Sequence, residues 1–167
     1  KTITLPNGHI TTDSSTSYTI TENGSYAFWA TDYAGNITKE TIDIQNIDNE
    51  NPNSPTINSK ENVGDNHHSE VTIEDNGDNG VAGVDRIEYM LSGATSQGWT
   101  TYTAPLNLTT NGITTVFARV VDKAGNISPT VSKNIMVDNV GPRINITKNI
   151  TTFTQSNIEL TVTATDD

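Results

Sequence analysis

Short runs of alternating apolar and polar residues, each closed by Gly, Asn, Asp or Pro, fill the chain from end to end. A two-residue period marks half-buried strands, because successive side chains point to opposite faces of a sheet. Between residues 53 and 142 the pattern predicts strands near 56–58, 69–74, 85–91, 99–102, 106–109, 115–121 and 130–137. In the sixth of these, Val116, Ala118 and Val120 share one face, and Phe117, Arg119 and Val121 share the other. Earlier in the chain the same logic turns Tyr26, Phe28 and Ala30 inward and Ala27, Trp29 and Thr31 outward. No stretch sustains a helical period, so an all-β fold is expected.

The pattern repeats. Asp32-Tyr33-Ala34-Gly35-Asn36-Ile37 returns as Asp122-Lys123-Ala124-Gly125-Asn126-Ile127, an offset of 90 residues. Ile47-Asp48-Asn49 with Pro52 returns at the same offset as Val137-Asp138-Asn139 with Pro142. Asn23-Gly24 matches Asn111-Gly112, and Val71-Thr72-Ile73-Glu74-Asp75 matches Val162-Thr163-Ala164-Thr165-Asp166, at nearly that spacing. A fixed period of this length indicates tandem structural units. It divides the chain into the back part of one unit (1–52), a complete unit (53–142) and the first strands of a third (143–167). A unit of about 90 residues and seven strands has the size of an immunoglobulin-like sandwich.

Several motifs carry a resemblance. They are Ser69-Glu70-Val71-Thr72, Gly83-Val84-Asp85-Arg86-Ile87-Glu88-Tyr89, Trp99-Thr100-Thr101-Tyr102, the Asp122-to-Asn126 turn, and Val137-Asp138-Asn139 with Pro142. Together they resemble the bacterial Ig-like repeats, of the OmpL47 type, found in modular cell-surface and secreted proteins. The resemblance implies tandem Ig-like β-sandwiches, an extracellular location, and a role as spacer, stalk or adhesive module, sometimes appended to an enzyme. The implied partners are neighbouring repeats of the same protein.

Composition narrows the chemistry. Nine basic against twenty acidic residues leave a net charge of −11, which disfavours binding to a phosphate backbone and favours cations or basic partners. Without cysteine there are no disulfides, thiolate metal sites or thiol nucleophiles. No apolar run reaches the roughly 20 residues of a membrane-spanning helix. No triad context or phosphate-binding glycine loop is present, so no catalytic residue is assigned and no cofactor is required.

The Asp-x-Ala-Gly-Asn turn combines an acid, a Gly and an amide, as active sites do, but a hairpin explains it better. Gly35 and Gly125 can adopt positive φ, and Asp32 and Asp122 can accept backbone N–H bonds. Two segments are candidates for calcium, which takes six to eight hard oxygens. One is the acidic loop around Asp75 and Asp78; counted from Asp75, EF-hand order fails, with Gly77 third and Arg86 twelfth, and a hydrated loop is the competing reading. The other is the junction Asp48-Asn49-Glu50-Asn51-Pro52, which is similar to cadherin-type calcium linkers; the second junction retains only Asp138 and Asn139. His67 and His68 are adjacent and, if extended, face apart, which suits one metal poorly. Trp99 and Tyr102, or Trp29, could stack on a glycan or host surface, against packing at the sandwich edge.

Lys1 is neither an initiator Met nor part of an apolar leader, and both ends are expected to be cut from a longer polypeptide. The two partial units complement each other. Head-to-tail strand complementation between copies, giving a filament or lattice, is therefore one expectation; an arbitrary cut through a continuous stalk is the other.

Overall fold

A computed structural model describes residues 1–63, 68–149, 151–155 and 157–166. Of the His67-His68 pair, His67 lies outside the described residues. Among the described residues the chain forms thirteen strands and no helix, as the alternation predicted.

Two compact units emerge from the contacts. The first takes Lys1–Pro55, Asp75–Ile87 and Arg119–Pro129; the second takes Thr56–Glu74, Glu88–Ala118 and Thr130–Asp167. In the first, β1 (Thr2–Thr4), β2 (Ile10–Thr11), β3 (Gly24–Thr31) and β4 (Ile37–Ile44) form a sheet in the order β2-β1-β3-β4. The second holds a three-stranded sheet, β5-β6-β9, from β5 (Thr56–Val63), β6 (His68–Glu74) and β9 (Leu106–Leu108). A further sheet, β11-β10-β7-β8, uses β7 (Val84–Gly93), β8 (Gln97–Thr101), β10 (Gly112–Asp122) and β11 (Val131–Val137). The first residues of β7 and the last of β10 belong to the first unit. A separate hairpin joins β12 (Arg143–Lys148) to β13 (Leu160–Thr165).

Within the second unit β11 lies against β5 and β6, and the Ser69 hydroxyl donates to the Met136 carbonyl at 2.7 Å. Val71 and Ile73 of β6, Leu108 of β9, Leu91 of β7, Val116 and Ala118 of β10, and Ile135 and Val137 of β11 are buried between the layers. Thr114, Val116, Ala118 and Val120 are buried along β10, while Thr115, Phe117 and Arg119 are half-exposed, so the predicted two-residue alternation appears directly as burial up to Arg119; Val121, placed on the Phe117 face, is buried as well and departs from it. This is sandwich packing, in which inner faces interdigitate and outer faces stay wet.

The first unit behaves differently. Tyr26, Ala27, Phe28 and Trp29 are all half-buried, and Ala30, expected inward, is exposed. Every residue of β4 except Ile44 is exposed. Alternation becomes a difference in burial only where a second layer covers one face. On this sheet the cover is local: Tyr18 meets Phe28 edge-on at 6.1 Å, and the Lys39 ammonium lies 5.8 Å from the Trp29 ring.

The two four-stranded sheets share one order. In each, a hairpin (β1–β2 or β7–β8) places its first strand beside the strand that enters an Asp-x-Ala-Gly-Asn turn, with the strand leaving that turn outermost. The β12–β13 pairing likewise parallels that of β5–β6; Arg143 faces Thr165 as Thr56 faces Glu74.

Candidate functional site

At the end of β10 the Asp122 N–H donates to the Asn126 carbonyl at 3.1 Å and the Gly125 N–H to the Asp122 carbonyl at 3.3 Å, with Gly125 at φ +97°. That backbone path needs a left-handed residue, which glycine supplies without Cβ strain. The turn wraps the Asp122 carboxylate. Oδ1 accepts the N–H groups of Gly125 (2.7 Å) and Asn126 (2.8 Å), and Oδ2 accepts the Asn126 side-chain amide (2.8 Å). Burial, which leaves Asp122 only 2% exposed, pushes its pKa up. The Asn126 side chain and the N–H groups of Asn126, Gly125 and Ala124 outweigh this and hold the carboxyl below its usual 3.8.

Two further aspartates reach the same place. Asp48 arrives on the segment after β4, and Asp78 on the loop between β6 and β7. Asp48, Asp78 and Asp122 each offer an oxygen within 4.8 Å of the others. All three lie in the first unit. Asp48 accepts from Glu50 N–H (3.0 Å) and Ala82 N–H (2.6 Å); Asp78 accepts from Gly80 N–H (3.3 Å) and Gly83 N–H (2.8 Å). The cluster is thus a group of like charges stabilised by amide dipoles, the arrangement that makes buried carboxylates tolerable. Gly80 is part of its shape: a Cβ there would stand 2.1 Å from an Asp48 carboxylate oxygen.

The segment carrying Asp48 is fastened along its length. Asn23 both donates to and accepts from the Ile47 backbone, at 2.8 and 2.9 Å. Asn126 donates its side-chain amide to the Asp48 carbonyl at 3.1 Å, and Asn79 to that of Asn51 at 2.9 Å. Asn53 N–H reaches the Gly77 carbonyl at 3.0 Å, its amide reaches Asn76, and Asn76 in turn donates to Ser54 at 2.7 Å. The Ser54 hydroxyl closes the row on Pro129 at 3.2 Å.

Of the residues singled out in the sequence, Asp48 and Asp78 meet; Asn49, Glu50 and Asp75 stand exposed outside the trio. Asp75 Oδ1 accepts from Gly77 N–H at 3.2 Å, a local turn bond. The third acid, Asp122, is one that sequence reasoning assigned to its turn alone. Nothing in the spacing singles out Asp122, because the Asp32 turn has the same letters. At the second junction the Asp138 carboxylate accepts from Val140 N–H at 3.2 Å, as Asp48 does from Glu50. Among the aromatic candidates, Trp29 is half-buried beside Lys39, and Tyr102 packs edge-on against Tyr89 at 6.3 Å. Trp99, on β8, remains 38% exposed. No protein-family model matches the chain, and no curated protein matches it either.

Proposed function

We propose that the chain is a non-catalytic spacer or stalk segment of an extracellular bacterial surface protein, built from tandem Ig-like sandwiches with units at 1–52, 53–142 and 143–167. One observation carries this reading. The segment around the proposed boundary between 1–52 and 53–142, residues 47–54, is hydrogen-bonded repeatedly to surrounding loops. A fastened connection suits a spacer whose task is to hold distance, because a free linker would let the units wander. The common order of the two four-stranded sheets supports the tandem arrangement. The surface location rests on the resemblance of the repeat motifs. Amide hydrogen exchange tests the reading: residues 47–54 are expected to exchange far more slowly than an unstructured chain, and exchange at unstructured rates would end it.

Calcium belongs to the same proposal. Asp48, Asp78 and Asp122 would hold the ion, since carboxylate oxygens are its preferred ligands and each, with about four lone-pair sites, accepts only two or three N–H bonds. The ion would neutralise the trio and tie the linker to two loops. Calcium should raise the melting temperature of the wild-type chain, and Asp48→Ala should remove that rise. Identical melting and scattering profiles with and without calcium would discard the ion while leaving the spacer reading intact.

A second reading, a glycan-binding or adhesive module, is favoured by the exposure of Trp99. Binding on a glycan array that disappears in Trp99→Ala would replace the spacer reading.

A further inference from the structure

Five Asn-Gly pairs occur in the chain, at Asn7, Asn23, Asn76, Asn79 and Asn111. Asn-Gly is the dipeptide most open to spontaneous loss of the side-chain amide, because glycine has no Cβ to shield its nitrogen or restrict the approach. At three of the five, the glycine nitrogen is already engaged: Gly8 with the Leu5 carbonyl, Gly77 with Asp75 Oδ1 and Gly80 with Asp78 Oδ1. Asn23 differs in two respects. Gly24 instead pairs with Ile44 at the end of the β3–β4 ladder, where a strand frays, and both Asn23 and Gly24 are exposed. Both polar atoms of the Asn23 side chain also serve the linker, Nδ2 donating to the Ile47 carbonyl and Oδ1 accepting the Ile47 N–H.

We propose that Asn23-Gly24 is a spontaneous deamidation site and that its conversion unfastens the linker at Ile47. In the reaction the Gly24 nitrogen, giving up its proton to a base, attacks Asn23 Cγ. A C–N bond closes a five-membered succinimide, and ammonia leaves with a proton. Water then opens the ring at either carbonyl, yielding aspartate or isoaspartate. The net change is amide plus water to carboxylate plus ammonia, with no oxidation or reduction. The product keeps an acceptor for the Ile47 N–H but loses the donor to the Ile47 carbonyl, and two oxygens then face each other. One charge-bearing repulsive contact replaces a hydrogen bond. Where the new acid is isoaspartate, the added backbone atom displaces the side chain as well.

Asn111 provides an internal contrast. Its Oδ1 accepts the Asn139 N–H at 3.1 Å, a role a carboxylate retains. Gly24 is also the convenient position at which to block the chemistry. A Cβ there would meet only the Tyr26 ring at 3.7–3.8 Å, ordinary contact, whereas one at Gly80 would strike Asp48.

The test uses the whole chain. After incubation at mildly alkaline pH, peptide mapping should find the amide-to-acid mass gain at Asn23, and Gly24→Ala should slow it several-fold. Asn23→Asp should raise amide exchange at Ile47 about five-fold, the factor expected for losing one net hydrogen bond. Asn111→Asp should leave exchange at Asn139 unchanged. A native chain that gains no mass at Asn23, while the unfolded chain does, overturns the modification site. Unchanged exchange at Ile47 in a folded Asn23→Asp variant overturns the consequence. If that variant fails to fold, Asn23→Ser, which cannot span both Ile47 groups, should show the same rise in exchange.

Discussion

The Asp32 and Asp122 turns have the same motif and nearly the same bonds, yet one is exposed and the other is sealed. Asp32 accepts N–H groups from Ala34 and Asn36 at 2.8 Å and the Asn36 side chain at 2.8 Å, a cradle like that of Asp122. Its carboxyl is also held below 3.8, first by the Asn36 side chain and then by the Asn36 backbone. The difference is what comes to meet them. The Asp122 turn receives Asp48 from the segment after β4 and Asp78 from a loop, and its Asn126 reaches across to the Asp48 carbonyl. Asp32 remains exposed. A turn motif therefore specifies its own geometry but not its environment, and only the environment distinguishes a hairpin from a candidate ion site.

The largest break in this comparison should come from Gly80→Ala. Its Cβ would overlap the Asp48 carboxylate, so the Asp48 segment or the Gly80 loop must move, at a cost of about 1–3 kcal/mol typical of overpacking. Urea unfolding should register this, whereas Gly98→Ala, with open space around its Cβ, should stay near wild type. Next in size, Asp122→Ala should lower the melting temperature more than Asp32→Ala. The former strands a buried turn and the Asn126 side chain that reaches the Asp48 carbonyl; the latter strands an exposed turn alone. Equal losses would show that the convergence of Asp48 and Asp78 adds nothing.

Acid should weaken both turns, in one direction. A carboxyl whose folded-state pKa lies below its unfolded value contributes stability that is fully present above 3.8 and is lost as pH falls through the lower folded value. Unfolding free energies measured from neutral pH down through this range should therefore decline more in wild type than in Asp122→Asn, which does not titrate. The smallest effect expected is the calcium-dependent rise in melting temperature, sharpened by comparing Asp48→Ala with Asp138→Ala. Only the former removes a member of the trio, so only the former should abolish the rise.

Much of the fold was legible in the chain. The seven strands of residues 53–142 lie close to where alternation and turn residues placed them, and Val116, Ala118 and Val120 of β10 are buried as predicted, although Val121, assigned to the opposite face, is buried too. Ala30 departs from its predicted side because the rule assumes a covering layer, and β4 next to it is open along nearly its whole length. Asn23 and Asn111 could be matched as repeat equivalents from their glycines, but their hydrogen bonds to Ile47 and Asn139 needed the fold.

Local physics was written in the sequence by itself: a two-residue period, positive-φ glycines and aspartates placed to accept their own turn's N–H groups are all neighbour effects. The tertiary structure alone decided that Asp48, Asp78 and Asp122, separated by 30 and 44 residues, should converge while Asp32 should not. Convergence of that kind depends on which loops the sheets bring together, and residues so far apart leave no periodic trace of it along the chain.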